Sequence, residues 1–368
     1  MRLFGAVVAL VMAVALPGLA SVVHADERSM RQAFPSECRG FLHTDMTELV
    51  GVWGDYHLAS PRWILALAFS PDGTRVLSGG AMPGEGALEG ATLKLWDVES
   101  GQEVRSFQGH TRRVKSVAFS PNGRLALSGS TDGTARIWDL AADTRRTLKQ
   151  VSGVRYPLVD AVAFSPDGTL ALIGTSEQPG LRLLEVTTGH ELRTFDAAFG
   201  AASTVFSPDG RFALSASSYE PPKLWEVASG KLVRTFELKR GRWLHLLGSR
   251  GAWGQAALSP DGRLIVAGNS DSHIRLWDAA TADEIRVLRG HRGRVASVSF
   301  SPDGKWLLST GSEDHTIRLW DLTSGTEIDH IDLVTSEDVA YAAAFSPTGE
   351  SFIAGTRRGV MLHFKVVK

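Results

Sequence analysis

A single cysteine, Cys38, stands in a chain of 368 residues. No internal disulfide can form, so the fold depends on packing even in an oxidising compartment. Excess charge is equally lacking. The 39 Lys and Arg face 40 Asp and Glu, a formal net charge of −1, whereas non-specific nucleic-acid binding needs a strong basic excess. The 11 histidines form no HExxH and no close pair, which leaves a zinc site without support. No CxxCH, phosphate loop or nucleophile elbow occurs. No metal and no cofactor is expected.

Long apolar runs are confined to the start. Arg2 precedes an uninterrupted apolar stretch, Leu3–Leu16, which Pro17-Gly18 breaks; Val23-His24-Ala25 then offers a cut before Asp26. Residues 1–25 read as a secretory signal peptide of bacterial style, with periplasmic or secreted delivery expected and no stable membrane insertion after cleavage. An uncleaved anchor is the alternative, since apolar character persists weakly to Val23, but Pro17 and Gly18 fit the end of a signal better than the middle of a membrane helix. Cys38 lies too far from the apolar run for a lipoprotein. Cleavage removes Arg2 and no acid, leaving 38 basic against 40 acidic residues. Residues 26–47 mix charges with Pro35 and Gly40 without periodicity and read as a tether.

What the rest of the chain has is repetition. In residues 110–140 three short apolar runs (Val114–Phe119, Leu125–Ser128, Ala135–Trp138) alternate by face and are separated by Pro121-Asn122-Gly123 and Asp132-Gly133. That is an antiparallel meander with hairpin turns, and it cannot bury both its faces alone. The turn Ser-Pro-X-Gly recurs at Ser70, Ser120, Ser165, Ser207, Ser259, Ser301 and Ser346, at spacings of 50, 45, 42, 52, 42 and 45 residues. An aliphatic–Trp–acid triplet follows most of these turns: Leu95-Trp96-Asp97, Ile137-Trp138-Asp139, Leu224-Trp225-Glu226, Leu276-Trp277-Asp278 and Leu319-Trp320-Asp321. The third and seventh repeats put Leu184 and Phe364 in place of the Trp.

Seven units in register resemble the WD-repeat β-propeller family from roughly residue 48 to the C-terminus. The resemblance implies an all-β fold over residues 48–368, a seven-bladed propeller of four-stranded antiparallel blades. Only four residues follow Phe364, so the last blade lacks its outer strand; in this family an N-terminal strand fills that place and closes the ring. Val52–Leu58 is the candidate. The resemblance also implies a buried hydrogen-bond network of His110, Ser128, Asp132 and Trp138 in the second repeat, and of His291, Thr310, Asp314 and Trp320 in the sixth. Composition alone would allow a Ser–His–Asp triad, but buried groups inside a blade are structural, and geometry defines a triad. The fifth repeat keeps Asp271 but has Ala267 at the hydroxyl position, and Gly189-His190 is a false match after a third strand.

Two connections exceed their siblings. Eighteen positions separate Ser78 from Trp96 against ten from Ser128 to Trp138, an excess filled by Gly80–Gly86. Between Trp225 and Leu258 lie ten positions more than between Trp96 and Phe119, falling in Leu238–Gln255. By the family layout both lie on one rim. The second holds Lys239, Arg240, Arg242, Trp243, Arg250 and Trp253, and Tyr219 in Tyr219-Glu220-Pro221-Pro222 extends it. Aromatic residues with Arg are the composition of a protein-binding hot spot; the alternative is that the Trp residues plug the propeller's own groove. The expected function is a non-enzymatic, monomeric protein-interaction platform of unidentified partner, in the cell envelope or outside the cell. The rivals are a propeller enzyme or ligand sensor using the channel mouth. Against them, Asp160 is the only acid in inner strands such as Val114–Phe119 and Val159–Phe164.

Overall fold

The computed structural model describes residues 46–53, 63–82, 90–142, 144–151, 158–176, 178–197, 201–217, 220–237, 253–333 and 338–367. These form 28 strands in seven four-stranded antiparallel sheets, with no helix among the described residues. Period two makes each strand. In Leu125–Ser130 small and aliphatic residues bury both faces of a second strand, while the outer strand Glu103–Ser106 is largely exposed. The inner strands neighbour one another in cyclic order, the seventh against the first. The result is a seven-bladed propeller.

Packing between blades supplies the core. Trp138 of the second blade is buried against Leu77, Leu93, Leu95 and Phe107 of the first, with the Phe107 and Trp138 rings 5.4 Å apart. Trp225 meets Phe195 at 6.0 Å and Trp277 meets Phe236 at 6.1 Å in the same way. Each Trp therefore locks its blade to the preceding one, and truncation to Ala would cost about 3–5 kcal/mol. On the far rim the Ser-Pro-X-Gly turns repeat the pattern. Gly123 has φ 68° in such a turn, and a side chain there would meet Pro71 of the preceding blade at 3.6 Å.

The ring closes with an N-terminal strand, as expected, but an earlier one. Thr47–Trp53 pairs antiparallel with Met361–Val366, from Thr47 opposite Val366 to Trp53 opposite Met361. Val52 and Trp53 are the only members of the expected Val52–Leu58 stretch in it; residues 54–58 lie outside the described residues. The register shifts once within this pairing, between Leu49 and Gly51. The shift turns Leu49 and Val52 towards the sixth blade's side and Trp53 towards the first blade. Thr47, assigned to the tether by sequence, is buried and donates to Asp329 of the sixth blade at 3.0 Å. The leader, Cys38 and the rest of the tether lie outside the described residues.

Both long connections are shorter than counting suggests, because strands absorb part of them. Gly80, Ala81 and Met82 continue the second strand of blade one, paired with Thr92, Ala91 and Gly90; residues 83–89 lie outside the described set. Trp253, Gly254 and Gln255 belong to the inner strand Trp253–Leu258 of the fifth blade.

Candidate functional site

Two blades carry a complete polar network. In the second, His110 Nδ1 lies 2.8 Å from Asp132 Oδ2 and its Nε2 lies 2.7 Å from Ser128 Oγ. Trp138 Nε1 donates to the same hydroxyl at 2.8 Å. Asp132 also accepts from Thr111 N at 3.0 Å, and from Thr134 N and Oγ1 at 2.9 and 2.6 Å. Burial works against its charged form, yet the hydrogen bonds from His110 and Thr134 outweigh this and hold the carboxyl far below its usual range. Ser128 is 0% exposed and its oxygen is occupied by Trp138. With His110 Nε2 on its other side at 2.7 Å, the hydroxyl has no face open to a substrate.

The sixth blade repeats the network with a different hydroxyl. His291 bridges Asp314 at 2.7 Å and Ser309 at 2.8 Å, and Trp320 Nε1 donates to Ser309 at 2.8 Å. Ser309, not Thr310, is the network residue. Counting ten back from Trp320 fails because this hairpin holds one residue more: Ser309 pairs with Arg318, as Ser128 pairs with Arg136. Thr310 points to the opposite face, where its buried hydroxyl has no partner. Trp96 and Trp225 keep the donor half alone, to Ser78 at 2.8 Å and Ser215 at 2.9 Å. In the fifth blade Ala267 occupies that position, opposite Arg275, and Asp271 pairs with Arg275 at 2.5 Å.

The networks lie at the rim where second and third strands join, as do the outer-to-inner connections. There the register slips near the start of every inner strand. Lys115 and Asp160 stand at that slip in neighbouring blades, bonded at 2.6 Å with Asp160 7% exposed. The inner-strand acid is thus neutralised by a pairing that links two blades, which no motif in the sequence discloses. At the fifth blade Gln255 accepts from Ser297 of the sixth at 2.7 Å. Of the partner-binding candidates, Tyr219, Lys239, Arg240, Arg242, Trp243 and Arg250 lie outside the described residues. Trp253 is in a strand, opposite Asn269, rather than in a loop. Glu220 pairs with Lys223 at 2.6 Å. Among the described residues no group of three His, Cys, Asp or Glu side chains is placed to hold a metal.

Comparison with known proteins accords with this architecture. The profile of the family described as "WD domain, G-beta repeat" matches residues 55–97, 101–139, 248–278 and 282–321. Small ribosomal subunit protein RACK1 of Caenorhabditis elegans is 30% identical over 297 residues, 75% of this chain and 86% of that protein. The chain belongs to the WD40-repeat family. Other WD40 relatives include the serine-threonine kinase receptor-associated protein of Dictyostelium discoideum, 31% identical over 229 residues, 62% of this chain and 72% of that one. Nuclear distribution protein PAC1 of Arthroderma otae is 30% identical over 282 residues, 71% of this chain, but the match spans only 59% of PAC1. These relatives are eukaryotic and lend no support to a leader of bacterial style. The four matched segments are the first, second, fifth and sixth blades, each ending in a Trp-Asp pair; the third, fourth and seventh fold alike with Leu184-Glu185, Trp225-Glu226 and Phe364-Lys365 there.

Proposed function

We propose that this WD40 propeller is a non-enzymatic platform that binds a protein partner through the rim bearing the 238–252 connection. One observation carries the reading. Seventeen residues, 236–252, join the fourth outer strand to the fifth inner strand, whereas the other blade-to-blade joints use five to nine. The fold needs no such length, and a connection far longer than its siblings is a functional expectation. Its Lys239, Arg240, Arg242, Trp243 and Arg250 supply aromatic and guanidinium anchors. The His–Asp–hydroxyl networks serve as internal struts in this reading, which fits their burial.

Delivery to the periplasm or the exterior is proposed on residues 1–25 alone. Mass spectrometry of the chain from its native host checks this, with a mature N-terminus at Asp26 expected and an intact, membrane-bound residue 1 to 25 segment contradicting it. The platform reading is tested by quantitative capture of partners with Trp243→Ala. Loss of capture by tenfold or more with unchanged melting supports a rim anchor. A fall in melting temperature with capture reduced only in proportion to folded protein would show that Trp243 plugs the propeller's groove instead.

A further inference from the structure

The third strands carry a cation two residues before the Trp position in six blades: Lys94, Arg136, Arg182, Lys223, Arg275 and Arg318. Opposite the Trp position on the outer strand stands a glutamate in four of them: Glu103, Glu191, Glu284 and Glu327. Each glutamate meets its blade's cation. Lys94 and Glu103 are 2.5 Å apart, Arg182 and Glu191 2.8 Å, and Arg275 and Glu284 3.9 Å, while Arg318 and Glu327 are in direct contact. The fourth blade has Leu232 there, and Lys223 turns to Glu220.

The second blade breaks the rule with a second cation. Arg145 stands opposite Trp138, exposed, with its guanidinium 6.0 Å from the Trp138 ring. The glycines above the two pockets report the substitution. A carbon added to Gly290 in the sixth blade would lie 2.7 Å from Glu327 Oε2, 2.9 Å from Trp320 Cη2 and 3.1 Å from Arg318 Nη1. A carbon added to Gly109 in the second would lie 2.7 Å from Arg136 Nη1, 3.0 Å from Arg145 Nε and 3.2 Å from Trp138 Cη2. One pocket holds a cation and a carboxylate; the other holds two cations.

Among the described residues of the second blade nothing replaces the missing anion. No carboxylate among the described residues lies within ion-pair distance of Arg136 or Arg145. Asp132 is the nearest by connectivity, through Thr134 Oγ1, which accepts from Arg136 Nε at 3.1 Å. Both Asp132 oxygens are already taken by His110, Thr111 and Thr134. The bond to Thr134 holds Arg136 as Thr316 holds Arg318, at 3.0 Å in the sixth blade. The donors are preorganised, and two like charges at close range favour any anion placed between them.

We propose that Arg136 and Arg145, in the groove between the first and second blades, bind the carboxylate of an acidic side chain from a partner protein. That carboxylate takes the place which Glu327 occupies in the sixth blade, so the pocket's fit to a carboxylate is shown within the same chain. The proposal rests on the interaction-platform reading but uses a site at an outermost strand, separate from the 238–252 connection, so each can fail without the other.

The test uses the full chain and a fluorescent, end-capped hexaglutamate peptide, with hexaglutamine as the uncharged control and anisotropy as the readout. Hexaglutamate is expected to bind at least tenfold more tightly than hexaglutamine. Arg145→Glu should weaken it tenfold or more without lowering the melting temperature, because the new carboxylate closes the pair with Arg136 as Glu327 does with Arg318. Arg211→Glu, an equal charge change on the opposite rim, should leave binding within twofold. Equal affinity for the two peptides, unchanged binding by Arg145→Glu, or an equal loss with Arg211→Glu would overturn the proposal. A phosphoserine hexapeptide that binds where hexaglutamate does not would also overturn it, assigning the pocket to phosphate.

Discussion

Ser309 and Thr310 are adjacent, both fully buried, and opposite in role. Ser309 accepts from Trp320 and faces His291, whereas the Thr310 hydroxyl has no partner. Ser309→Ala should therefore cost about 1–3 kcal/mol by orphaning two buried groups, and Thr310→Val should be neutral or stabilising. Chemical denaturation of the two variants checks this; equal losses would contradict the assignment. Asp132→Ala should likewise cost about 1–3 kcal/mol, since it strips His110 of its carboxylate. The network was legible in the sequence at His110, Asp132 and Trp138 because the second hairpin has the usual length. It was misread at Thr310 because one extra turn residue is invisible to counting back from the Trp. His363 carries no motif signal in the sequence. It sits opposite Ile353 where the other third strands carry Leu95, Ile137, Leu183, Leu224, Leu276 and Leu319. Its ring lies 5.1 Å from Trp53 of the closing strand, and its Nε2 is buried without a partner. Burial pushes its pKa down to about 4. The unfolded chain binds that proton at higher pH than the folded one, so stability is full above about pH 6.5 and falls as pH drops towards 4, by about 1–3 kcal/mol. His363→Leu should remove this pH dependence, measured by urea midpoints at pH 7.5 and 5; an unchanged slope would place the titration elsewhere.

At the scale of elements, the closing strand is the one whose loss opens the ring. Thr47–Trp53 covers the outer edge of the last blade, its Thr47 tied to Asp329 in the sixth blade and its Trp53 seated against Gly101 of the first. An unpaired edge invites association with another chain. Deleting residues 26–53 should lower the melting temperature and produce concentration-dependent oligomers in sedimentation, while deleting 26–45 should do neither. Equal melting of the two truncations would refute the assignment. Closure by an N-terminal strand was legible from the resemblance to the WD-repeat family, and Thr47–Trp53 fills that place. The strand's position was not legible, because Glu48–Leu58 contains several alternations of similar quality. The register is set by the partner strand and by the slip after Leu49, both of which lie in the three-dimensional pairing.

At the scale of the whole molecule, the seven blades form a rigid ring in which each Trp and each Ser-Pro-X-Gly turn locks a blade to the one before it. Repetition made the fold legible, for a pattern kept in phase seven times leaves one architecture. The proposed function was less legible, because it rests on departures from the repeat. The Lys115–Asp160 bond joins two neighbouring blades, and the Arg136–Arg145 pair joins the third and outer strands of one blade, proximities that only the folded pairing creates. Such a ring offers a fixed frame on which a long connection can be altered without altering the frame. The direct test of the platform reading is therefore replacement of residues 239–252 by a short Gly-Ser turn, followed by crosslinking in the native compartment and identification of captured proteins. The account predicts an unchanged melting temperature and the loss of at least one partner captured by the wild type. Retention of every partner at wild-type yield, with the fold equally stable, would contradict it.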